Sequence, residues 1–123
     1  MEFRLELVAV PVTDVDRAKA FYTEQVGFVA DHDVRVAEDL RFVQLTPPGS
    51  GCSIAFGEGI AETPPGSLRG LQLVVADIHA AREHLLAGGV DVSEVEVHPW
   101  GSFVAFEDPD GNGWAVQQLP AAA

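Results

Sequence analysis

Val8-Ala9-Val10-Pro11-Val12-Thr13-Asp14-Val15 has a near copy 63 positions on, at Leu71-Gln72-Leu73-Val74-Val75-Ala76-Asp77-Ile78. Each is an apolar, strand-like run closed by a small residue, then an Asp, then an Ala-rich helical stretch. The match resumes at an offset of 62, where Thr46-Pro47-Pro48-Gly49-Ser50-Gly51 stands against Asp108-Pro109-Asp110-Gly111-Asn112-Gly113. Two copies of a unit about 60 residues long imply a pseudo-symmetric fold. Equivalent positions of the two copies can then meet in one shared site, and the residues at those positions decide between a metal enzyme and a metal-free binder.

Working outward, Leu5 to Val12 has the pattern of a first strand. Thr13 or Asp14 caps a helix to about Val26 that Gly27 stops, and Thr13 with Asp16 resembles a capping box. Ala18, Phe21, Tyr22 and Gln25 or Val26 form its buried stripe. Strands are expected at Phe28 to Val36, Leu40 to Thr46 and Cys52 to Phe56, with Pro47 to Gly51 as a turn. The second copy runs in the same order: a strand from Gly70 to Val75, a helix from Asp77 to about Ala87 stopped by Gly88-Gly89, then strands at Val92–Val97, Ser102–Glu107 and Gly113–Leu119. The chain is therefore one α+β domain of two β-α-β-β-β units, about 1–57 and 70–119, with a linker at 58–69 and a frayed tail at 120–123. One helix per four strands leaves each sheet a face that the helix does not cover. Alternation puts Val8, Val10, Val12, Leu71, Leu73 and Val75 under the helices. Leu7, Ala9, Pro11, Gly70, Gln72 and Val74 then line the other side.

Composition narrows the partners. The chain has 123 residues, 47% of them apolar, which suits a single globular domain. Nineteen acids against seven bases give a net charge of −12, which argues against nucleic acid and anionic membranes. The same charge favours a cationic ligand over long range. No apolar run approaches the ~20 residues of a membrane helix, and the start has no signal-peptide pattern, so a cytoplasmic protein is expected. Cys52, the only cysteine, is expected as a buried structural thiol.

Val10-Pro11-Val12-Thr13-Asp14, Ala20-Phe21-Tyr22, Val26-Gly27-Phe28, Val74-Val75-Ala76-Asp77-Ile78, Gly88-Gly89-Val90, Pro99-Trp100-Gly101 and Phe106-Glu107-Asp108-Pro109-Asp110-Gly111-Asn112 together resemble the vicinal oxygen chelate superfamily, the glyoxalase/bleomycin resistance/dioxygenase group. The resemblance covers nearly the whole chain. It implies a cup-shaped mixed sheet around a cavity. In the family's enzymes His, Gln or Glu from equivalent strand positions hold a divalent metal there, which polarises a substrate oxygen. Carried over residue by residue, those positions are Leu7, Ser53, Gly70 and Ala115 in this sequence, and none supplies such a ligand. His79 and His84, five apart on the second helix, do not share a face, and His32 and His98 fall in different units.

A metal-free catalyst would need a base on the cup face. Gln72 and Gln117 stand there, and an amide cannot act as a base. Glu107 alternates with Phe106 and either faces inward or is solvated beside its turn; Asp108 and Asp110 are expected to set turn geometry. Trp100 either walls the cavity or plugs the structure, Trp114 is expected under a helix, Phe42 and Phe103 are cavity or interface residues, and Phe56 closes one end of its strand. The expected function is a small-molecule binder of the bleomycin-resistance type, with neither metal nor cofactor. It would sequester an amphipathic or cationic, antibiotic-like ligand at a homodimer interface. The expected lining is Leu7, Ala9, Ser53, Gln72, Val74, His98, Trp100, Phe103, Ala115 and Gln117. The alternatives are a glyoxalase-type lyase, isomerase or dioxygenase with a displaced or absent metal, and a fold retained for protein contacts alone.

Overall fold

In the computed structural model, which describes residues 1–121, the chain forms two four-stranded sheets and two helical segments, an α+β fold with two similar halves. The first half holds β1 (Leu7–Ala9), α1 (Val15–Ala20) with a π-helical continuation (Phe21–Val26), β2 (Val29–Ala37), β3 (Leu40–Thr46) and β4 (Ser53–Glu58). The second holds β5 (Leu71–Val74), α2 (Ile78–Ala87), β6 (Glu96–His98), β7 (Gly101–Glu107) and β8 (Gly113–Gln118). Sheet one has the order β1-β4-β3-β2 and sheet two β5-β8-β7-β6; each pairs its first and last strands in parallel and the rest antiparallel.

Several boundaries move for local reasons. β1 is only three residues long: Leu5 is exposed, and Pro11 has no N–H to extend the ladder. The β6 ladder is confined to Glu96–His98, because Val92 turns into the core and Ser93 pairs with Ala105 through both its backbone N–H and its hydroxyl. β4 runs on to Glu58, one residue beyond the expected unit boundary. Asp14, not Thr13, caps α1 by accepting from the Arg17 N–H at 3.0 Å. The expected Thr13–Asp16 capping box is absent; the Thr13 hydroxyl donates instead to Asp110 at 2.6 Å, tying the first helix to the last turn. The helix ends at Gly27, whose φ of 101° favours glycine. The last two residues of the expected frayed tail, 122–123, lie outside the described residues.

A single core joins the halves. Val10, Ala18, Phe21, Tyr22, Phe28, Val43, Leu45, Ile54 and Phe56 from the first half pack with Ile78, Leu85, Val104, Phe106, Trp114 and Val116 from the second. The Tyr22 ring touches Phe56 on one side and Trp114 on the other, at centroid distances of 6.0 and 5.8 Å. Phe56 is thus at the centre of the core, not at a strand end, and Trp114 lies under the helices as its parity requires. Cys52 departs from expectation: it is half-buried beside β4, outside the core. The helices meet at their C-terminal ends. A Cβ on Gly88 would stand 2.1 Å from the Gln25 carbonyl oxygen, so only glycine permits this approach. Nearby, His84 Nε2 lies 2.7 Å from the Val26 carbonyl, a satisfied role for a helix histidine. Both sheets turn their helix-bearing faces to this shared core. Their other faces take no part in that core: Gln72 and Val74 are exposed on sheet two, while on sheet one Ala9 is exposed and Ser53 and Ala55 are buried.

Candidate ligand-binding site

Strand alternation sorts each outer face. On sheet two, Gln72 and Val74 of β5 are exposed while Leu71 and Leu73 pack on the core. In β8, Trp114 and Val116 are buried and Ala115 and Gln117 face outward. Register then brings neighbours together: Gln72 opposes Ala115, Phe103 opposes Gln117, and Glu96 opposes Phe103. The Gln72 amide nitrogen donates to Gln117 Oε1 at 2.5 Å, and Gln117 Nε2 donates to the Trp100 carbonyl at 2.9 Å.

An aromatic cluster borders this amide pair. Trp100 is 60% exposed, so it is no plug, and its ring stacks on His98 with centroids 4.7 Å apart and planes within 7°. Phe103 meets His98 edge-on at 5.9 Å. Glu96 stands 3.7 Å from His98 Nε2. His98, Trp100, Phe103, Ala105 and Ala115 line a cavity of about 280 Å³. Ser93, Ala105 and Ala115 carry it into a larger groove of about 790 Å³ that reaches Gly70, Arg69 and Glu107. Glu107 sits at the groove's rim in an exposed ion pair with Arg69 at 3.2 Å. Val74 also borders a separate apolar cavity of about 280 Å³ between the halves, with Pro47, Leu73 and Leu85.

Leu7, Ala9 and Ser53 sit elsewhere, on the outer face of sheet one, where Leu7 is the register partner of Ser53 and Ala9 of Ala55. The expected lining is thus divided, seven residues on one sheet and three on the other. Sheet one also carries polar residues that sequence reasoning missed. Gln44 Nε2 donates to Ser53 Oγ at 3.1 Å, Ser53 Oγ lies 2.7 Å from Thr46 Oγ1, and the Thr46 hydroxyl donates to Asp31. His32 faces the same way, opposite Gln44, and so lies on a different sheet from His98. Gln44 alternates with the core residues Val43 and Leu45, a parity signal that was available in the sequence.

The four family metal positions do not fit a divalent ion. Leu7, Gly70 and Ala115 carry no donor atom in their side chains, and the Ser53 hydroxyl is engaged by Gln44 and Thr46. Among the described residues no group of three or more His, Cys, Asp or Glu side chains is placed to hold a metal ion. Asp108 does more than shape its turn. Its Oδ1 accepts from the N–H groups of Asp110 and Asn112, and its Oδ2 accepts from the Tyr22 hydroxyl at 2.7 Å and the Asn112 amide at 2.8 Å. This cluster is buried in the core, away from the outer faces.

Paired β-α-β-β-β halves with one sheet face left free define a known class. Residues 4–116 match the model of the Glyoxalase/Bleomycin resistance protein/Dioxygenase superfamily, and the chain belongs to that family. It is similar to TnmS3, an antibiotic-binding protein from Streptomyces sp. CB03234, with 37% identity over 97% of this chain and 98% of that one and a TM-score of 0.87. A glyoxalase/bleomycin resistance protein from the same strain is 38% identical over 94% of this chain and all of its own, with a TM-score of 0.81. The uncharacterized protein YetH of Bacillus subtilis (strain 168) is 29% identical over 90% of this chain and 94% of its own length. No helix among the described residues is long and apolar enough to cross a membrane.

Proposed function

We propose that the protein is a metal-free binder of a flat, amphipathic small molecule of antibiotic type, acting in the cytoplasm as a homodimer. The observation that carries this reading is the outer face of sheet two. There an exposed indole stacked on an imidazole stands beside a hydrogen-bonded pair of glutamines. Such a surface offers a large apolar contact with few orienting polar atoms, which is the composition of a small-molecule site. The likeness to TnmS3 supports the same reading. The residues at the metal positions speak against the glyoxalase-type alternative; the imidazole among the aromatics, His98, is stacked under the Trp100 ring with Glu96 3.7 Å from its Nε2.

The division of the expected lining between the two sheets supports the homodimer. A cup needs two walls, and the residues expected to line it stand on two separate sheets. In the dimer, sheet one of each subunit covers sheet two of the other, so that Leu7, Ala9 and Ser53 complete the lining begun by Gln72, Trp100 and Gln117.

The test is a titration of the purified protein with cationic and polycyclic antibiotics, followed by quenching of tryptophan fluorescence. Trp100→Ala is expected to weaken the binding of any hit by about tenfold or more, given the ~1–3 kcal/mol of a stacked ring. Equal affinity in the variant would remove Trp100 from the site. Metal content after incubation with Ni, Zn, Fe(II) and Mn and desalting is expected to be far below one ion per chain; stoichiometric metal would put the enzyme reading first.

A further inference from the structure

The polarity of two hydrogen-bond relays carries a statement about the ligand, and it rests on the cup reading above. On sheet two the Trp100 carbonyl can only accept, so Gln117 must present its amide nitrogen to it, at 2.9 Å. Gln117 Oε1 is thereby turned to Gln72, which must donate from its own Nε2, at 2.5 Å. The relay is oriented by its anchor, and Gln72 Oε1 is left at its free end. No described residue donates to that oxygen.

Sheet one repeats the logic with different residues. The Asp31 carboxylate accepts from the Thr46 hydroxyl and uses its only proton. Ser53, 2.7 Å from Thr46 Oγ1, must therefore donate to it, and Ser53 Oγ in turn accepts from Gln44 Nε2 at 3.1 Å. Gln44 Oε1 is left at the free end, again with no donor among the described residues. An acceptor-only group anchors each relay, and each ends on its outer face in a glutamine carbonyl oxygen.

We infer that the cup selects a planar ligand that carries hydrogen-bond donors at its edge, phenolic or alcoholic O–H or ammonium N–H. Gln72 Oε1 of one subunit and Gln44 of the partner subunit receive them. A ligand edge that carries only acceptors finds no partner at either carbonyl oxygen and is left with the second N–H of each amide. Anions are disfavoured further by the net charge of −12. Gln44 and Gln72 are thus specificity-determining residues, and the aromatic cluster supplies the part of the affinity that does not depend on the groups at the ligand's edge.

The experiment compares three fragments by calorimetry on the full chain: a naphthalenediol, its dimethyl ether and the corresponding disulfonate. The diol is expected to bind about tenfold more tightly than the ether, the worth of one or two neutral hydrogen bonds. The disulfonate is expected to bind more weakly than either. Gln72→Met and Gln44→Met, each checked for an unchanged circular dichroism spectrum, should bring the diol down to the ether. Equal affinity for diol and ether in the unaltered protein would overturn the donor rule and leave the cup standing, as would a preference for the disulfonate. Failure of both diol and ether to bind would overturn the cup reading itself.

Discussion

Tyr22 is a core phenol whose oxygen sits between the two halves, donating to Asp108 at 2.7 Å and accepting from Trp114 Nε1 at 3.0 Å. Burial, and then the Asp108 carboxylate, push its ionisation well above the ordinary tyrosine range, so it remains a donor at any working pH. Tyr22→Phe keeps the ring contacts with Phe28 and Trp114 but strands the indole N–H and removes one donor from Asp108. The expected loss is about 1–3 kcal/mol of unfolding free energy, read from urea denaturation. An unchanged midpoint would show that water replaces the hydroxyl. At this scale the sequence was legible wherever parity decided: Trp114 inward, Ala115 and Gln117 outward. The Tyr22–Asp108 bond was not legible, since its partners stand 86 positions apart and nothing local distinguishes this Asp from a turn residue. Gln44 escaped for another reason. Val8 pairs with Ile54 as its copy Leu71 pairs with Trp114, so Ala55 corresponds to Ala115, and Gln44, which opposes Ala55, is the structural copy of Ala105. The repeat conserves the place and not the residue type, and no comparison of side chains between the halves would pair them.

Between elements, the clearest charge cluster joins α1 to the β2–β3 hairpin. Arg41 of β3 binds Asp33 of β2 at 3.0 Å and Asp16 of α1 at 2.9 Å, and Lys19 of α1 closes on Asp33 at 2.9 Å. Hydrogen bonds from Arg41, and then Lys19, hold the Asp33 carboxyl well below the usual carboxylate range, while Asp33 raises the Arg41 guanidinium in turn. A carboxylate depressed by folding stabilises the protein above its unfolded value of about 3.9, and the contribution is lost as pH falls through the folded value. Asp33→Asn is therefore expected to lower the melting temperature at pH 7 and to leave the variant and the parent converging as the pH drops below about 4. A constant gap between the two melting curves down to acid pH would show that the ion pairs contribute nothing and that only packing was disturbed. The helices and the order of strands were legible because capping residues, glycine stops and apolar periodicity agree locally. The π-helical turn over Phe21–Val26 and the short β6 were not, because both answer to the core: the first seats Tyr22 and Val26, the second yields Val92 to it.

For the whole molecule, the arrangement of the halves bears on what the sequence left open, namely whether a cup is built within one chain or across two. The helix-bearing faces share one core, and apolar side chains remain on the outside: Val34 at 50% exposure on sheet one, Val74 at 64% and Trp100 at 60% on sheet two. The proposed dimer would cover these side chains. Sedimentation equilibrium is expected to give twice the 13.1 kDa of the chain, and Val34→Lys is expected to shift the protein toward monomer without unfolding it. Mass alone does not say which faces meet, and a mixing experiment does. Ala9→Arg fills the sheet-one wall and Trp100→Ala removes the platform from the sheet-two wall, so either variant alone has every cup impaired. If each cup takes one wall from each subunit, a dimer of the two variants has one cup with both defects and one with neither. Unfolding the variants together and refolding them should then restore a fraction of sites with the parent affinity for the naphthalenediol, while the same proteins refolded apart and then combined cold restore none. If co-refolding restores no site although mixed dimers form, both walls belong to one chain, and the dimer proposed here is joined through some other surface.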